Sequence, residues 1–196
     1  MSDYTVIGAV SDTLQQILKQ NITASSDPTL NGVQIYLYSP KEMQDMGIAA
    51  GISLWLYKVT RMAEMLNEPP ERVAPNMVAR TPLPVLLFYL ITPFSPDPET
   101  RHILLGRVLQ VLYDHAILRG ADLQGVLEGT TEQLRVNLEA LTLEELSLVW
   151  EALNEPYQLS VTYLVQVARI DSEFAPVKSG PVIEKEATYA QILSAT

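Results

Sequence analysis

The 196-residue chain contains no cysteine and only two histidines, His102 and His115. Without cysteine there is no disulfide framework and no thiolate metal site. The two histidines are thirteen residues apart, so on one helix they point roughly 140° away from each other, given about 100° per residue. We therefore expect two structural histidines and not a metal-binding pair.

The sequence motifs of common enzyme classes are also missing. The chain has no Gly-x-Ser-x-Gly elbow, no phosphate-binding loop and no dinucleotide fingerprint. Glu144 and Glu145 form the best carboxylate pair, but a helix N-terminus explains them better than acid–base catalysis does. We predict no catalytic residue, no cofactor and no metal site, and an enzyme is the weakest of the functional classes considered.

Basic residues are scarce, with 13 Lys and Arg against 23 Asp and Glu and a net charge of −10. Nucleic-acid binding depends on neutralising phosphates, so this balance argues against a nucleic-acid partner. The acidic excess is concentrated in residues 120–196, which carry 12 acids and 4 bases. That half presents either a solvated acidic surface or a face that meets a basic partner.

Long hydrophobic runs are absent as well. No apolar run approaches the roughly 20 residues of a membrane span, and the first residues lack the basic start and apolar core of a signal peptide. We therefore expect a cytoplasmic protein without membrane insertion. The 47% hydrophobic content indicates a globular chain, and the length favours one domain.

The strongest structural signal in the chain lies in residues 81–120. The apolar run 85–91 predicts a central strand with both faces covered. Asp97 and Pro98 fit the N-cap and first position of a helix that is predicted to run to about Arg119. Val108 and Leu112, one helical turn apart, lie on its predicted buried stripe.

Weaker signals complete the predicted fold. Helices are expected over residues 3–20 and, with Thr142 and Glu145 as a capping box, from 143 to about 153. The second of these helices is predicted to bury Leu143, Leu146, Val149 and Trp150. Strands are predicted over residues 33–38, 51–62, 133–141 and 158–170, and alternation along the last turns Tyr163 inward and Thr162 outward. Residues 63–81, rich in proline, predict a long irregular connection.

This pattern predicts an α+β fold with a mixed or largely antiparallel sheet packed by about three helices. Residues 1–171 are expected to form a single domain, and residues 172–196 an extended C-terminal tail.

Aromatic side chains on two predicted strands are candidates for an oligomer or partner interface. Tyr36 lies on the strand 33–38, and Trp55 and Tyr57 share one face of the strand 51–62. An aromatic strand face of this kind is covered either by a helix or by another subunit.

The tail supplies three further interface candidates, Val182, Ile183 and Ile192. Proline and glycine interrupt the tail too often for it to build a core of its own. It is either a frayed terminus or an arm whose backbone pairs with an exposed strand edge on a neighbouring subunit or on a sheath.

The order and spacing of several segments resemble the cap, or tail-terminator, family of phage-tail-like contractile injection systems. The segments are residues 3–20, 51–67, 82–94, 98–119, 148–153 and 157–171. The resemblance implies a non-enzymatic structural protein that forms a ring, as a homohexamer, and ends the inner tube and contractile sheath distal to the baseplate. The implied partners are other copies of itself and the sheath and inner-tube proteins.

One alternative from another class stays open at this point. A stand-alone soluble domain would bind a peptide or small molecule in a pocket lined by Trp55 and Tyr57. Oligomeric state separates the two hypotheses, because a cap forms a closed ring whereas a binding module of this size is able to act as a monomer.

Overall fold

A computed structural model of the protein describes residues 3–178 apart from 66–68, 70–71 and 75. The α-helices in this part of the chain are α1 (Val6–Leu18), α2 (Pro40–Asp45), α3 (Pro98–Asp114) and α4 (Leu143–Ala152). The strands are β1 (Ile35–Tyr36), β2 (Gly51–Arg61), β3 (Arg72–Ala74), β4 (Met77–Val78), β5 (Leu83–Phe94), β6 (Ile117–Arg119), β7 (Gln133–Glu139), β8 (Val161–Ile170) and β9 (Val177–Lys178). The predicted α+β class is confirmed.

Six of the strands form one sheet, in the order β1-β2-β5-β8-β7-β6. Only the pair β1–β2 is parallel, and the other neighbours are antiparallel. The apolar strand β5 lies between the two long strands β2 and β8. The prediction of a largely antiparallel sheet around this strand is therefore confirmed.

The sheet carries helices on both faces, and the side chains of β5 alternate between these two faces. Leu87, Tyr89 and Ile91 point into the larger core, which α1 and α3 cover. Leu90 points the other way into a second core, where it meets Trp150 of α4. The second layer also explains why Thr162 is buried, at 3% exposure, although strand alternation predicts that it faces solvent.

Helix α1 follows its hydrophobic pattern. All five predicted core positions are buried at 3% exposure or less: Val6, Val10, Leu14, Ile17 and Leu18. The helix then continues as a short π-helical segment, Lys19–Thr23.

Helix α3 begins where the sequence predicts and ends earlier. The Asp97 carboxylate accepts the Thr100 N–H at 2.7 Å, which confirms the N-cap. The predicted end near Arg119 is wrong, because the helix stops at Asp114 and Ile117–Arg119 form strand β6. Pairing of β6 with β7 overrides the helical periodicity of these residues.

Helix α2 is absent from the sequence prediction, which has only a strand end at this point. The Ser39 hydroxyl accepts the Glu42 N–H at 3.2 Å, and the Glu42 carboxylate accepts the Ser39 N–H at 2.8 Å. Pro40 occupies the first helical position. The signal is therefore present in the sequence as Ser-Pro-x-Glu, a capping box with proline at its preferred place.

Two β-bulges change the simple alternation along the long strands. The ladder between β2 and β5 shifts between Leu56 and Lys58, so that the Tyr57 ring and the Lys58 ammonium both contact Phe88. A second shift lies between β5 and β8. It leaves Ala168 buried at 1% exposure, at a position that alternation assigns to the other face.

The predicted irregular connection 63–81 contains two short strands, which form a second, three-stranded sheet in the order β3-β4-β9. Its third strand belongs to the predicted tail, with Val177 opposite Val78 and Lys178 opposite Met77. Val177 and Lys178 of the tail are thus extended, in agreement with the prediction, and they pair with the connection.

The predicted capping box of α4 is present, and we expect its removal to be measurable. The Thr142 hydroxyl accepts the Glu145 N–H at 3.2 Å, and the Glu145 carboxylate accepts the Thr142 N–H at 2.8 Å. Thr142→Ala should lower the free energy of unfolding by about 1 kcal/mol, as measured by urea denaturation. Ser147→Ala, on the exposed side of the same helix, is the control and should change it by less than about 0.5 kcal/mol. Equal effects of the two substitutions would contradict the role of the cap.

Two buried tyrosines predict a loss of stability in alkali. Burial raises the pKa of Tyr163 to about 12. Burial also raises the pKa of Tyr89, whose hydroxyl lies 2.8 Å from that of Ser11. A tyrosine in the unfolded chain ionises near pH 10.

Between about pH 10 and pH 12 the unfolded chain therefore binds fewer protons than the folded chain, and stability falls as the pH rises. Urea denaturation at several pH values should show this fall, and it should be shallower in Tyr163→Phe. A wild-type slope that the substitution leaves unchanged would show that this tyrosine is not the group responsible.

Candidate assembly surfaces

Trp55 and Tyr57, two of the predicted interface residues, lie on the face of β2 that α4 covers. Their rings are 6.1 Å apart, and both pack against the second core of Leu90, Trp150 and Leu153. The sequence allows either a helix or another subunit to cover these two rings. In the structure a helix of the same chain accounts for much of their burial. This packing favours a structural role for the two rings over the binding pocket of a stand-alone domain.

Tyr57 also shows how this region is built electrostatically. Burial raises the pKa of its phenol, and the carboxylates of Glu139 and Glu145 add to the effect. The phenol therefore stays protonated at neutral pH and serves as a packing group. Its interface role, like that of Trp55, stays a prediction.

Tyr36 lies on the two-residue edge strand β1, which pairs with β2. Its ring stacks on that of Tyr38 at 6.1 Å, and Tyr38 is 42% exposed. The stack depends on Gly51, which has a φ of +141° and where a Cβ would lie 2.8 Å from the Tyr36 ring. The pair forms an aromatic rim at this edge, and the interface role of Tyr36 stays a prediction.

The other three predicted interface residues, Val182, Ile183 and Ile192, lie outside the described residues. Their role stays a prediction as well.

The outer face of α4 is the first exposed surface with a mixed apolar and acidic character. Leu143 and Leu148 are 65% and 60% exposed, and the side chains of Glu144 and Glu151 are also exposed. The prediction that Leu143 is buried is wrong. Leu143 lies in the first turn of α4, whereas the residues that contact the second core, among them Trp150, lie further along the helix.

A second surface is a groove between α3 and β7, here called the α3–β7 groove. Its volume is about 580 Å³. Tyr113 on the helix and Leu138 on the strand are 82% and 56% exposed at this groove. Its lining is mostly apolar and consists of Leu109, Gln110, Leu112, Tyr113, Ala116, Val136, Asn137, Leu138 and Tyr163. The sequence prediction does not contain this groove.

The small sheet β3-β4-β9 presents a third apolar surface. Val73, Phe174 and Val177 are each more than half exposed. The Arg80 guanidinium lies over the Phe174 ring at 4.5 Å. Here the tail and the proline-rich connection together form one exposed patch.

Across residues 3–178, leaving out the gaps named above, no three His, Asp or Glu side chains are grouped so that they would hold a metal ion. Among the helices described for the same residues, none has the length and apolar character needed to cross a bilayer.

Several solved chains share this fold, among them two terminating proteins. A sheath/tube terminator of the PVC extracellular contractile injection system, in its extended state, superposes with a TM-score of 0.65 at 19% identity, over 100% of this chain and 67% of that one. The tube-terminating cap of the anti-feeding prophage gives a TM-score of 0.60 at 18% identity, over 92% of this chain and 60% of that one. At these identities the likeness establishes the fold.

Family membership rests on the sequence. Residues 9–184 match the model of the Pvc16 N-terminal domain, and the chain belongs to this family. Together these matches confirm the resemblance to tail-terminator caps that the sequence shows. No curated protein matches the chain.

Proposed function

We propose that the protein is a structural cap, or tail terminator, of a phage-tail-like contractile injection system. It forms a ring that ends the inner tube and the contractile sheath at the end distal to the baseplate. The observation that carries the proposal is the fold that the whole chain shares with a sheath/tube terminator, at a TM-score of 0.65. The role is non-enzymatic, and the ring assembles in the cytoplasm.

The ring in this proposal is a homohexamer. A closed ring repeats one heterologous interface, in which one patch of each copy meets a different patch of the next. The chain has separate exposed apolar patches of the kind that such an interface uses. We include Tyr36, Trp55, Tyr57, Val182, Ile183 and Ile192 among the residues of the ring or of its contacts with sheath and tube.

The acidic C-terminal half of the chain favours a basic surface on the sheath or tube. Glu144 and Glu151 lie on the exposed side of α4 beside Leu143 and Leu148. An exposed acidic face with apolar residues attracts a basic partner and then buries apolar area against it. Because exposed charges are screened by salt, binding of the cap to sheath should weaken as ionic strength rises.

Removal of the gene tests the proposed function through the lengths of the particles. Without a terminator, we expect tubes and sheaths of variable length in electron micrographs of particles from the deletion strain. The wild-type gene and the Ile103→Asp variant, changed at a surface position, should restore a uniform length, whereas the core variant Val108→Asp should not. Particles of unchanged, uniform length in the deletion strain would contradict the proposal.

A further inference from the structure

One edge of the six-stranded sheet is only partly covered. Strand β6 pairs with β7 from Gln133 to Arg135, and the Val136 N–H then donates to the Ala116 carbonyl at 2.9 Å. Beyond this bond, no strand of the described residues pairs with the outer side of β7. Because backbone groups alternate in direction along an antiparallel strand, the N–H and C=O of Leu138 point outward.

The same sheet protects its other open edge. Strand β1 pairs with β2 only at Ile52 and Ser53, so the rest of β2 also lacks an outer partner among the described strands. That segment carries a β-bulge and the charged residues Lys58 and Arg61, and bulges and charges hinder strand addition. On β7 the residue whose backbone groups point outward is the 56% exposed Leu138. The one charged residue of the open segment is the half-buried Glu139, and no register shift interrupts the pairing of β7 with β8.

The open segment of β7 lies beside the α3–β7 groove. Leu138 shares a strand face with the buried Leu134 and Val136 and lines the groove with Tyr113 and Leu109 of α3. A strand added at this edge would place every second side chain over the groove. Backbone hydrogen bonds would then supply affinity, and the apolar groove would select the side chains.

The chain itself contains a segment that fits this site. Residues 189–193, Tyr-Ala-Gln-Ile-Leu, form an uncharged and mostly apolar run in the tail, matching a groove whose lining carries no charged side chain. Eighteen residues follow Lys178. The ten residues 179–188 have a reach of at most about 33–36 Å.

The described residues of the tail and the groove lie at opposite ends of the sheet. The tail follows Ile170 at the end of β8, whereas Leu138 pairs with Tyr163 near the beginning of that strand. The seven residue steps between them correspond to about 23 Å, and a return within one chain must also pass around the sheet edge. A donor segment at one end and an acceptor edge at the other is the arrangement that repeats head to tail around a ring.

We propose that residues 189–193 of one copy add as a strand to the open edge of β7 in the next copy and cover its α3–β7 groove. This inference rests on the proposed ring and names the contact that closes it. It gives Ile192 an acceptor surface on the neighbouring copy.

Cross-linking tests this contact directly, because the native chain has no cysteine. Asn137→Cys, next to Leu138 on the open segment of β7, is combined in the full-length chain with one cysteine at a time at positions 189 to 193. After mild oxidation we expect covalent ladders on denaturing gels that end at six chains. Efficient positions should alternate, as in a strand. Leu148→Cys on α4 replaces Asn137→Cys in the control and should give no ladder.

Two outcomes would overturn the proposal. If the cross-links form within single chains, the tail occupies the groove of its own copy. If no tail position links to Asn137→Cys better than to Leu148→Cys, the tail does not reach this edge.

A second variant measures what the contact contributes to assembly. Leu138→Asp should raise the protein concentration at which half of the chains are in rings by tenfold or more, as measured by mass photometry. Its thermal melt should stay near that of the wild type because Leu138 is 56% exposed. The control Ile103→Asp, at a 41% exposed position of α3 outside the candidate surfaces, should leave both quantities near their wild-type values. Equal effects of the two variants on assembly would overturn the proposal.

The inference and the proposed function fail in different ways. Rings that assemble and terminate particles without tail cross-links would remove the inference and leave the cap intact. If the protein forms cross-linked rings, but particles keep a uniform length after the gene is deleted, the cap function would be removed and the contact would stay.

Discussion

Replacing Val108 by aspartate is expected to lower the free energy of unfolding by several kcal/mol. Val108 is fully buried on α3 and belongs to the larger core between the helices and the sheet. An aspartate there is either an unpaired charge in an apolar environment or a carboxyl group that must take up a proton, and both are costly. Urea denaturation at pH 7 and thermal melting measure the loss.

Leu112, one turn further along α3 and 1% exposed, provides an independent repeat. Leu112→Asp should destabilise the protein to a similar extent. Ile103 on the same helix is 41% exposed, and Ile103→Asp should cost less than about 1 kcal/mol, as surface substitutions do. If all three variants melt like the wild type, the buried face of α3 is assigned incorrectly.

Replacing Trp150 by alanine is expected to cost about 3–5 kcal/mol, the range for large aromatic residues in a core. Trp150 is 1% exposed and anchors α4 on the sheet. Its Nε1–H donates to the Ser160 hydroxyl at 3.2 Å, and its ring meets that of Tyr157 edge-on at 6.2 Å. The substitution therefore removes apolar area and also leaves a buried hydroxyl without its partner.

Leu148→Ala on the same helix is the matched control for Trp150→Ala. Leu148 is 60% exposed, so its truncation should change the free energy of unfolding by less than about 0.5 kcal/mol. Trp150→Phe should fall between the two, because it keeps most of the packing and loses the hydrogen bond. A small effect of Trp150→Ala would show that α4 contributes little to the fold.

The features predicted correctly from the sequence are those with a local physical cause. The apolar run of β5 predicts its central place because both faces must be covered. The amphipathic spacing of α1 predicts five of its buried residues, and the capping residues Asp97 and Thr142 predict where α3 and α4 begin. Each of these signals lies within one segment of chain.

The features that the sequence prediction missed depend on contacts between distant segments. The end of α3 is set by pairing of Ile117–Arg119 with β7, a partner that the helical pattern cannot show. The bulge at Tyr57 is visible only in the register between β2 and β5. The small sheet joins residues 72–78 to Val177–Lys178, which lie about one hundred positions apart in the chain.

The candidate surfaces were partly predictable for the same reason. Aromatic residues on a strand, such as Trp55 and Tyr57, are recognisable from alternation, but whether a helix or another subunit covers them is a tertiary question. The α3–β7 groove needs Tyr113 and Leu138 to be brought together from two elements.

Helix α2 is unlike the other features missing from the sequence prediction. Its capping box at Ser39 and Glu42 is a local signal that can be recognised from the sequence alone.

The position of the protein on an intact particle tests the central claim most directly. Gold-labelled antibodies raised against this chain would be imaged by electron microscopy on particles purified from cells that produce it. The proposed cap function predicts label at one end of each particle, the end opposite the baseplate. Label along the sheath, at both ends, or only on protein that is not bound to particles would contradict it.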